Sequence, residues 1–369
     1  MDEDWDLLLQ FFPASWREMA GHAGATKGLR QDKSEENLLR TILIHVGCGY
    51  SLKETVLRAR KASLANLSSV ALMKRLRKSA PWLRMMCLAL FREQGVALRS
   101  EGGFQVRAFD ATTVKEPGKT GSLWRVHYSV RLPSLTCDFF KVTRTEGRGT
   151  GESFFQFPIT PNDYILADRG YSTASGIEHV VRKKAYVVVR LNTASLPLHT
   201  SQGRSFSLLN RVQGIRRTGT VKSWPVQIAG AKADINGRLC AIRKSNEAIK
   251  LAQQKAEREA TKKGHKIKPE TLEFAKYVLL FTTFPEFEFA ANDVLDWYRL
   301  RWQVELVFKR FKSLAEFGHL PKSDSESSKA WLYGKLFVAL VMEKLTNHAA
   351  SISPWGYILE DRKVAEPVA

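Results

Sequence analysis

Three carboxylates in this chain stand where folding preferences disfavour an acid or where ligands tend to collect. Asp110 falls inside FQVRAFDATTV, an alternating apolar stretch, and an acid in mid-strand is opposed both by strand propensity and by burial. Asp168 follows the apolar run 164–167 and opens Asp168-Arg-Gly-Tyr171, just past the carboxyl end of a strand, where open α/β sheets hold their ligands. Glu305 is the single acid on a helix face that otherwise carries Tyr298, Arg301, Lys309 and Lys312. Taken singly, each has a plain reading: an edge-strand acid, a turn residue before Gly170, an incidental glutamate on a basic surface helix. Taken together they match the set needed to hold two Mg²⁺ ions, with Mn²⁺ as a substitute. Hard divalent cations take carboxylate oxygens, and a metal pair stabilises both the attacking and the leaving oxygen of a phosphoryl displacement. His127 also projects from a strand, and a hydrogen-bonded core histidine is the simpler reading than a metal ligand.

The elements that must position these acids can be read from periodicity. Over residues 296–314, DWYRLRWQVELVFKRFKSL, helical spacing gathers Tyr298, Arg301, Glu305, Lys309 and Lys312 into an arc of roughly 80°. Trp297, Leu300, Val304, Val307, Phe308, Phe311 and Leu314 form a separate apolar arc of roughly 120°, wide enough to pack on a core. Period-2 alternation predicts strands over 104–114, 123–132 and 137–144, separated by turn residues and read as an antiparallel meander. A buried strand over 164–167, a helix over 173–184 and a strand over 186–191 follow as a βαβ unit. Residues 193–275 interrupt this pattern. Strand-like pieces at 205–209, 221–228 and 239–243 precede a helix over 246–263 stopped by Gly264; a strand at 277–281 then leads to the Glu305 helix. A last amphipathic helix, about 328–350, is expected to cover the sheet.

Lys and Arg number 57 against 37 Asp and Glu, a net charge of +20, which points to a polyanionic partner, nucleic acid first. Between residues 192 and 275 stand sixteen Lys and Arg against six Asp and Glu, half of that excess. The helix there is either a solvated arm or one that tracks phosphates. Four scattered cysteines, Cys48, Cys87, Cys137 and Cys240, without CxxC spacing, indicate neither a disulfide framework nor a zinc site and read as buried reduced thiols. No apolar run approaches a membrane span, and the start MDEDWD does not read as a signal peptide, so a cytoplasmic location is expected. Residues 1–98 read as helical. Ser51-Leu-Lys-Glu54 matches a capping box opening a helix to about Lys61, and Ser68 is placed to cap a second helix, 69–78, carrying Lys74, Arg75, Arg77 and Lys78. This pair resembles a helix-turn-helix whose second helix enters a DNA groove; a basic face on a plain helical bundle is the alternative.

The order Asp110, Asp168, Glu305 on a β-β-β-α-β-α-β-α chain resembles the RNase H-like catalytic domain of DDE transposases. Tyr298-x2-Arg301-x3-Glu305-x6-Lys312 is similar, without a gap, to the Tyr-Arg-Glu-Lys signature of a large bacterial insertion-sequence family, with Asp110-Ala-Thr and Asp168-Arg-Gly-Tyr in support. The resemblance covers 104–350. It implies an α/β fold: an RNase H-like mixed sheet with flanking helices over 99–192 and 276–350, and a basic β-rich insertion domain over 193–275; the helical pattern, the helix pair and the net charge make 1–98 a helical DNA-binding domain, and 351–369 is a tail. It implies Asp110, Asp168 and Glu305 as metal-binding catalytic residues. DNA contacts are expected from Tyr298, Arg301, Trp302, Lys309 and Lys312, and from Lys74, Arg75 and Arg77. The implied activity is cut-and-paste transposition through Mg²⁺-dependent cleavage of transposon ends, a hairpin and joining to target DNA, by a homodimer at the bacterial nucleoid. The tail after 350 is shorter than the pairing region of better-known relatives. An RNase H-like nuclease with another substrate, and a non-catalytic DNA-binding regulator, are the alternatives.

Overall fold

The computed structural model describes residues 3–29, 34–97, 105–115, 123–132, 136–147, 149–301, 320 and 324–351. The α-helices among them are α1 (Glu3–Leu9), α2 (Trp16–His22), α3 (Glu35–Cys48), α4 (Leu52–Lys61), α5 (Ser69–Ala97), α6 (Ala174–Arg182), α7 (Leu208–Gln213), α8 (Asn246–Lys262), α9 (Pro269–Phe274), α10 (Ala291–Leu300) and α11 (Ser325–Ser351). The strands are β1 (Gln105–Lys115), β2 (Leu123–Leu132), β3 (Thr136–Arg144), β4 (Asp163–Ala167), β5 (Tyr186–Arg190), β6 (Val221–Ile228), β7 (Ile235–Arg243) and β8 (Tyr277–Thr282). Two compact units divide the chain: Met1–Leu98, Val114–Leu123 and Lys309–Ala369 in one, Arg99–Thr113 and Trp124–Phe308 in the other.

The first unit is helical, and its helix starts are written in the sequence. Ser34 and Ser51 hydroxyls accept the backbone N–H of Asn37 and Glu54, each at 3.1 Å, satisfying donors that a helix start leaves free. Ser68 caps α5 in the same way. The expected 69–78 helix is only the opening of α5, which runs on through Pro81 to Ala97. A proline inside a helix removes one hydrogen bond. The loss is offset by the burial of Trp82, Leu83, Met86 and Leu90 just beyond it. α11, expected to cover a sheet, has helices for partners: it packs along α5 and α3. Cys87 Sγ donates to the Tyr333 carbonyl at 3.4 Å, and Lys344 pairs with Glu93 at 2.9 Å. A side chain on Gly334 would meet Val46 at 2.9 Å, so glycine lets α11 close on α3.

The second unit is built on a mixed eight-stranded sheet of order β3-β2-β1-β4-β5-β8-β7-β6. β4 is buried along its whole length, as a strand covered on both faces must be. β1, β4 and β5 are mutually parallel, and α6 makes the crossover between β4 and β5 that parallel pairing requires. A buried ionic lock ties four strands together: Arg107 on β1 reaches Asp163 on β4 at 2.9 Å and Asp138 on β3 at 3.0 Å, and Asp138 also accepts from Arg131 on β2 at 3.1 Å. His127 is a buried core histidine, its Nε2 2.9 Å from the Thr143 hydroxyl. Burial lowers its pKa to about 4 and keeps the ring neutral. Cys87, Cys137 and Cys240 are buried free thiols as expected, whereas Cys48 is exposed at the end of α3.

Residues 193–275 contain the expected strands 221–228 and 239–243, the latter beginning earlier, at Ile235. These strands are not set apart from the sheet. β7 pairs antiparallel with β8, and β6 with β7, so the excursion extends the same hydrogen-bonded ladder. The expected strand at 205–209 is instead a single bridge at Ser205 followed by α7. Phe206 and Leu208 alternate like a strand, yet a segment this short finds its packing as a turn and a helix start.

Candidate active site

β1 and β4 place two carboxylates side by side. Phe109 pairs with Ala167 in the parallel register, so Asp110 and Asp168 are the next positions on neighbouring strands. Asp110 Oδ1 accepts the Ala111 N–H at 2.8 Å, and its Oδ2 accepts the Tyr128 hydroxyl at 3.1 Å. Asp168 leads a short turn, Arg169–Tyr171, and its Oδ1 accepts the Tyr298 hydroxyl at 3.4 Å. Arg301 Nη1 lies 4.0 Å from Asp110 Oδ2, and its guanidinium sits 5.7 Å from the centre of the Tyr298 ring. Two members of the basic helical stripe, one turn apart, therefore attend one aspartate each.

Burial pushes the Asp110 carboxyl up to about 6; the Asp168 charge adds to the rise, while the Ala111 N–H, Arg301 and Tyr128 oppose it. Burial likewise raises the Tyr128 and Tyr298 hydroxyls, which therefore remain protonated donors to the carboxylates. Two carboxylates on adjacent strand ends, one of them held up by desolvation and by its neighbour's charge, form a donor set that fits a hard divalent cation. Among the described residues no three His, Cys, Asp or Glu side chains are grouped to hold a metal ion. The third expected ligand, Glu305, lies outside the described residues, as do Trp302, Lys309 and Lys312.

The electrostatics give a test that needs no substrate. Because the folded carboxyl of Asp110 titrates near 6 rather than 3.8, the fold favours its neutral form. That contribution is fully present below 3.8 and is lost as pH rises through about 6, a cost of roughly 2–3 kcal/mol to the cation-free protein. Asp110→Asn removes the charge, so in chelator the variant is expected to be more stable than the parent by about that amount at pH 8. The difference should vanish near pH 4. Urea unfolding at the two pH values measures it, and a variant less stable at pH 8 would contradict the assignment.

Two of the four basic residues expected at the start of α5 are engaged within the fold. Arg75 donates through Nη1 to the Lys27 carbonyl at 2.8 Å and through Nη2 to the Gly28 carbonyl. Arg77 pairs with Asp324 at 3.1 Å. Lys74 is exposed, as is Lys78. The second unit supplies cations that sequence reading passed over. A groove of about 740 Å³ is lined by Arg190, Arg243, Lys244, Tyr298, Arg299 and Arg301 among others. Arg190 had a signal: Ala167 pairs with Val189, so Arg190 ends β5 beside Asp168 at the end of β4. Lys244 had none; burial, with Arg190 adding its repulsion, lowers its pKa to about 8.

The family described as Transposase DDE domain matches residues 101–342. The chain is 30% identical over 360 residues to InsL for insertion sequence element IS186A of Escherichia coli (strain K12), covering 95% of this chain and 96% of that protein. It is 30% identical over 361 residues to the transposase for insertion sequence element IS421 of Escherichia coli, with the same shares covered. A more distant likeness, 21% over 206 residues, links it to the transposase for insertion sequence element IS231B of Bacillus thuringiensis subsp. berliner, covering 50% of this chain and 41% of the other.

Proposed function

From the premise that this chain belongs to the insertion-sequence transposases with a DDE domain, enzymes that cleave DNA and join its strands, we propose that it recognises the inverted ends of its own element and cuts them with Asp110, Asp168 and Glu305. DNA is its partner and a divalent cation its cofactor; the ion proposed is Mg²⁺, held as a pair, with Mn²⁺ able to replace it. When bound, such ions supply activation of water and neutralisation of charge at the phosphate. The observation that carries the reading is the pairing of Asp110 and Asp168 at neighbouring parallel positions with Tyr298 and Arg301 upon them.

Asp110 and Asp168 would orient the scissile phosphate through the ions they hold, with Glu305 completing the set. Tyr298, Arg301 and Lys312 would grip the phosphates flanking it, and Trp302 would pack against a base turned out of the duplex. Lys309, and Lys74 on the exposed face of α5, would meet the backbone further along; Arg75 and Arg77 would shape α5 through the bonds already described rather than read bases. The cationic groove from Arg190 to Arg301 gives the strand a path, and the basic residues of 193–275 extend it. In this proposal the first cut frees a 3′-hydroxyl, which attacks the opposite strand to form a hairpin, and a homodimer on DNA presents both ends to the target. Residues 1–98 would act as the end-binding domain. Among the described residues no helix is long and apolar enough to cross a membrane.

The test begins with the inverted repeats flanking the gene. A labelled duplex carrying such a repeat should acquire a nick at the element end in Mg²⁺ and none in chelator, while a scrambled duplex stays intact. Equal cutting of both duplexes would favour a general nuclease. Binding without cutting in any divalent ion would favour a regulator.

A further inference from the structure

A third acid stands beside the aspartate pair, on the loop between β3 and β4. The carboxylate of Glu152 lies directly against Gly170 in the turn that follows Asp168: a methyl group on Gly170 would collide with Glu152 Oε2. Under this turn is the ring of Tyr171, packed 5.2 Å from Phe154 and 6.2 Å from Phe157. Tyr171 is 1% exposed, and among the described residues its hydroxyl has no hydrogen-bond partner. A buried hydroxyl left unsatisfied is unfavourable, and such a group in a native fold calls for an explanation, a functional role among them. The surroundings say of what kind. The charges of Asp110, Glu152 and Asp168 all bear on this hydroxyl, which burial holds protonated and therefore able to donate. Glu152 in turn is influenced by Arg125 on β2 and by Asp168.

We propose that Glu152 and Tyr171 are positioning residues of the cation site: Glu152 accepts a hydrogen bond from water bound to a divalent cation on Asp110 and Asp168, and the Tyr171 hydroxyl donates to Glu152 to hold it there. The inference rests on the carboxylate reading given above and adds an outer layer to it. Outer carboxylates orient the ligands and waters of a metal site, and their loss commonly weakens metal binding 10- to 100-fold. Gly170 acquires a reason in the same scheme. Its missing side chain leaves the space that the Glu152 carboxylate occupies, so that any larger residue would push the acid away from the ion without disturbing the strand.

The experiment is a Mn²⁺ titration of the full-length protein without DNA, with free ion counted by electron paramagnetic resonance. Glu152→Gln and Gly170→Ala are each expected to weaken Mn²⁺ binding at least tenfold. Tyr171→Phe should weaken it in the same direction, and adding it to Glu152→Gln should bring no further loss, because the two act as one unit. Unfolding in chelator should show the Glu152→Gln variant folded as stably as the parent. Parental Mn²⁺ affinity in both Glu152→Gln and Gly170→Ala overturns the proposal. Asp168→Asn separates the two levels: if it loses the ion while Glu152→Gln keeps it, only the outer layer is wrong, whereas if Asp168→Asn also keeps it, the carboxylate site itself fails.

Discussion

Asp168→Ala is expected to abolish Mg²⁺-dependent cleavage of element-end DNA, with a fall in rate of at least ~10³-fold, while affinity for the same DNA stays within about twofold. The asymmetry follows from where the residue sits. Asp168 stands at the strand end beside Asp110, its carboxylate held by Tyr298, so its removal takes away an oxygen ligand proposed for the ion. The cations that line the groove, Arg190, Arg243, Lys244 and Arg301, are untouched. Phosphodiester cleavage without the metal's charge loses its main source of transition-state stabilisation. Asp110→Ala and Glu305→Ala should behave alike, because the three act as one unit and the effects do not add. Single-turnover gels and filter binding on one DNA preparation measure both quantities. Equal losses of binding and cleavage would make these acids scaffold rather than chemistry.

The second large effect is a separation of steps. Arg301→Ala is expected to retain some first-strand nicking while hairpin formation and strand transfer fall by about 10²-fold, and Lys312→Ala should follow it. In the structure Arg301 lies 4.0 Å from Asp110, an ion pair that a divalent cation on the same carboxylate would displace by repulsion. Freed from Asp110, the guanidinium is left facing the phosphates, where its planar fork suits them. Turning a base out of its stack costs a few kcal/mol, which such contacts must offset when the duplex closes on itself. The first nick does not need that distortion. Following nick, hairpin and joined product from end-labelled DNA on a denaturing gel distinguishes the cases: equal loss of all three steps, or loss of none, would leave the stripe a structural role alone.

Much of the frame was legible because it is written in local patterns. Alternation marked β1, β2 and β3 to within a residue or two, the apolar runs marked β4 and β5, and serines at 51 and 68 marked helix starts. Asp110 and Asp168 were visible because each breaks the pattern around it. What escaped depends on partners distant in sequence. Nothing in 221–243 announces that β7 pairs with β8, because strand pairing is decided by packing across the fold and not by propensity. The helix expected over 69–78 runs on through Pro81 to Ala97, carried by tertiary burial that no local pattern displays. The bonds of Arg75 and Arg77 were not visible because they go to Lys27, Gly28 and Asp324, far away along the chain. Glu152 carries no signal in the sequence; only the fold sets it against Gly170, two residues beyond Asp168.

The central claim, that the aspartate pair holds the ion that cuts, is tested most directly by changing the ligand and following the metal preference. In Asp168→Cys a soft sulfur replaces a hard oxygen, so Mg²⁺ should bind poorly there while Mn²⁺ tolerates the change better. The expected result, measured as single-turnover nicking of end-bearing DNA, is cleavage by the parent in both ions and by Asp168→Cys in Mn²⁺ alone. Cleavage by Asp168→Cys at the parental rate in Mg²⁺ would contradict the claim.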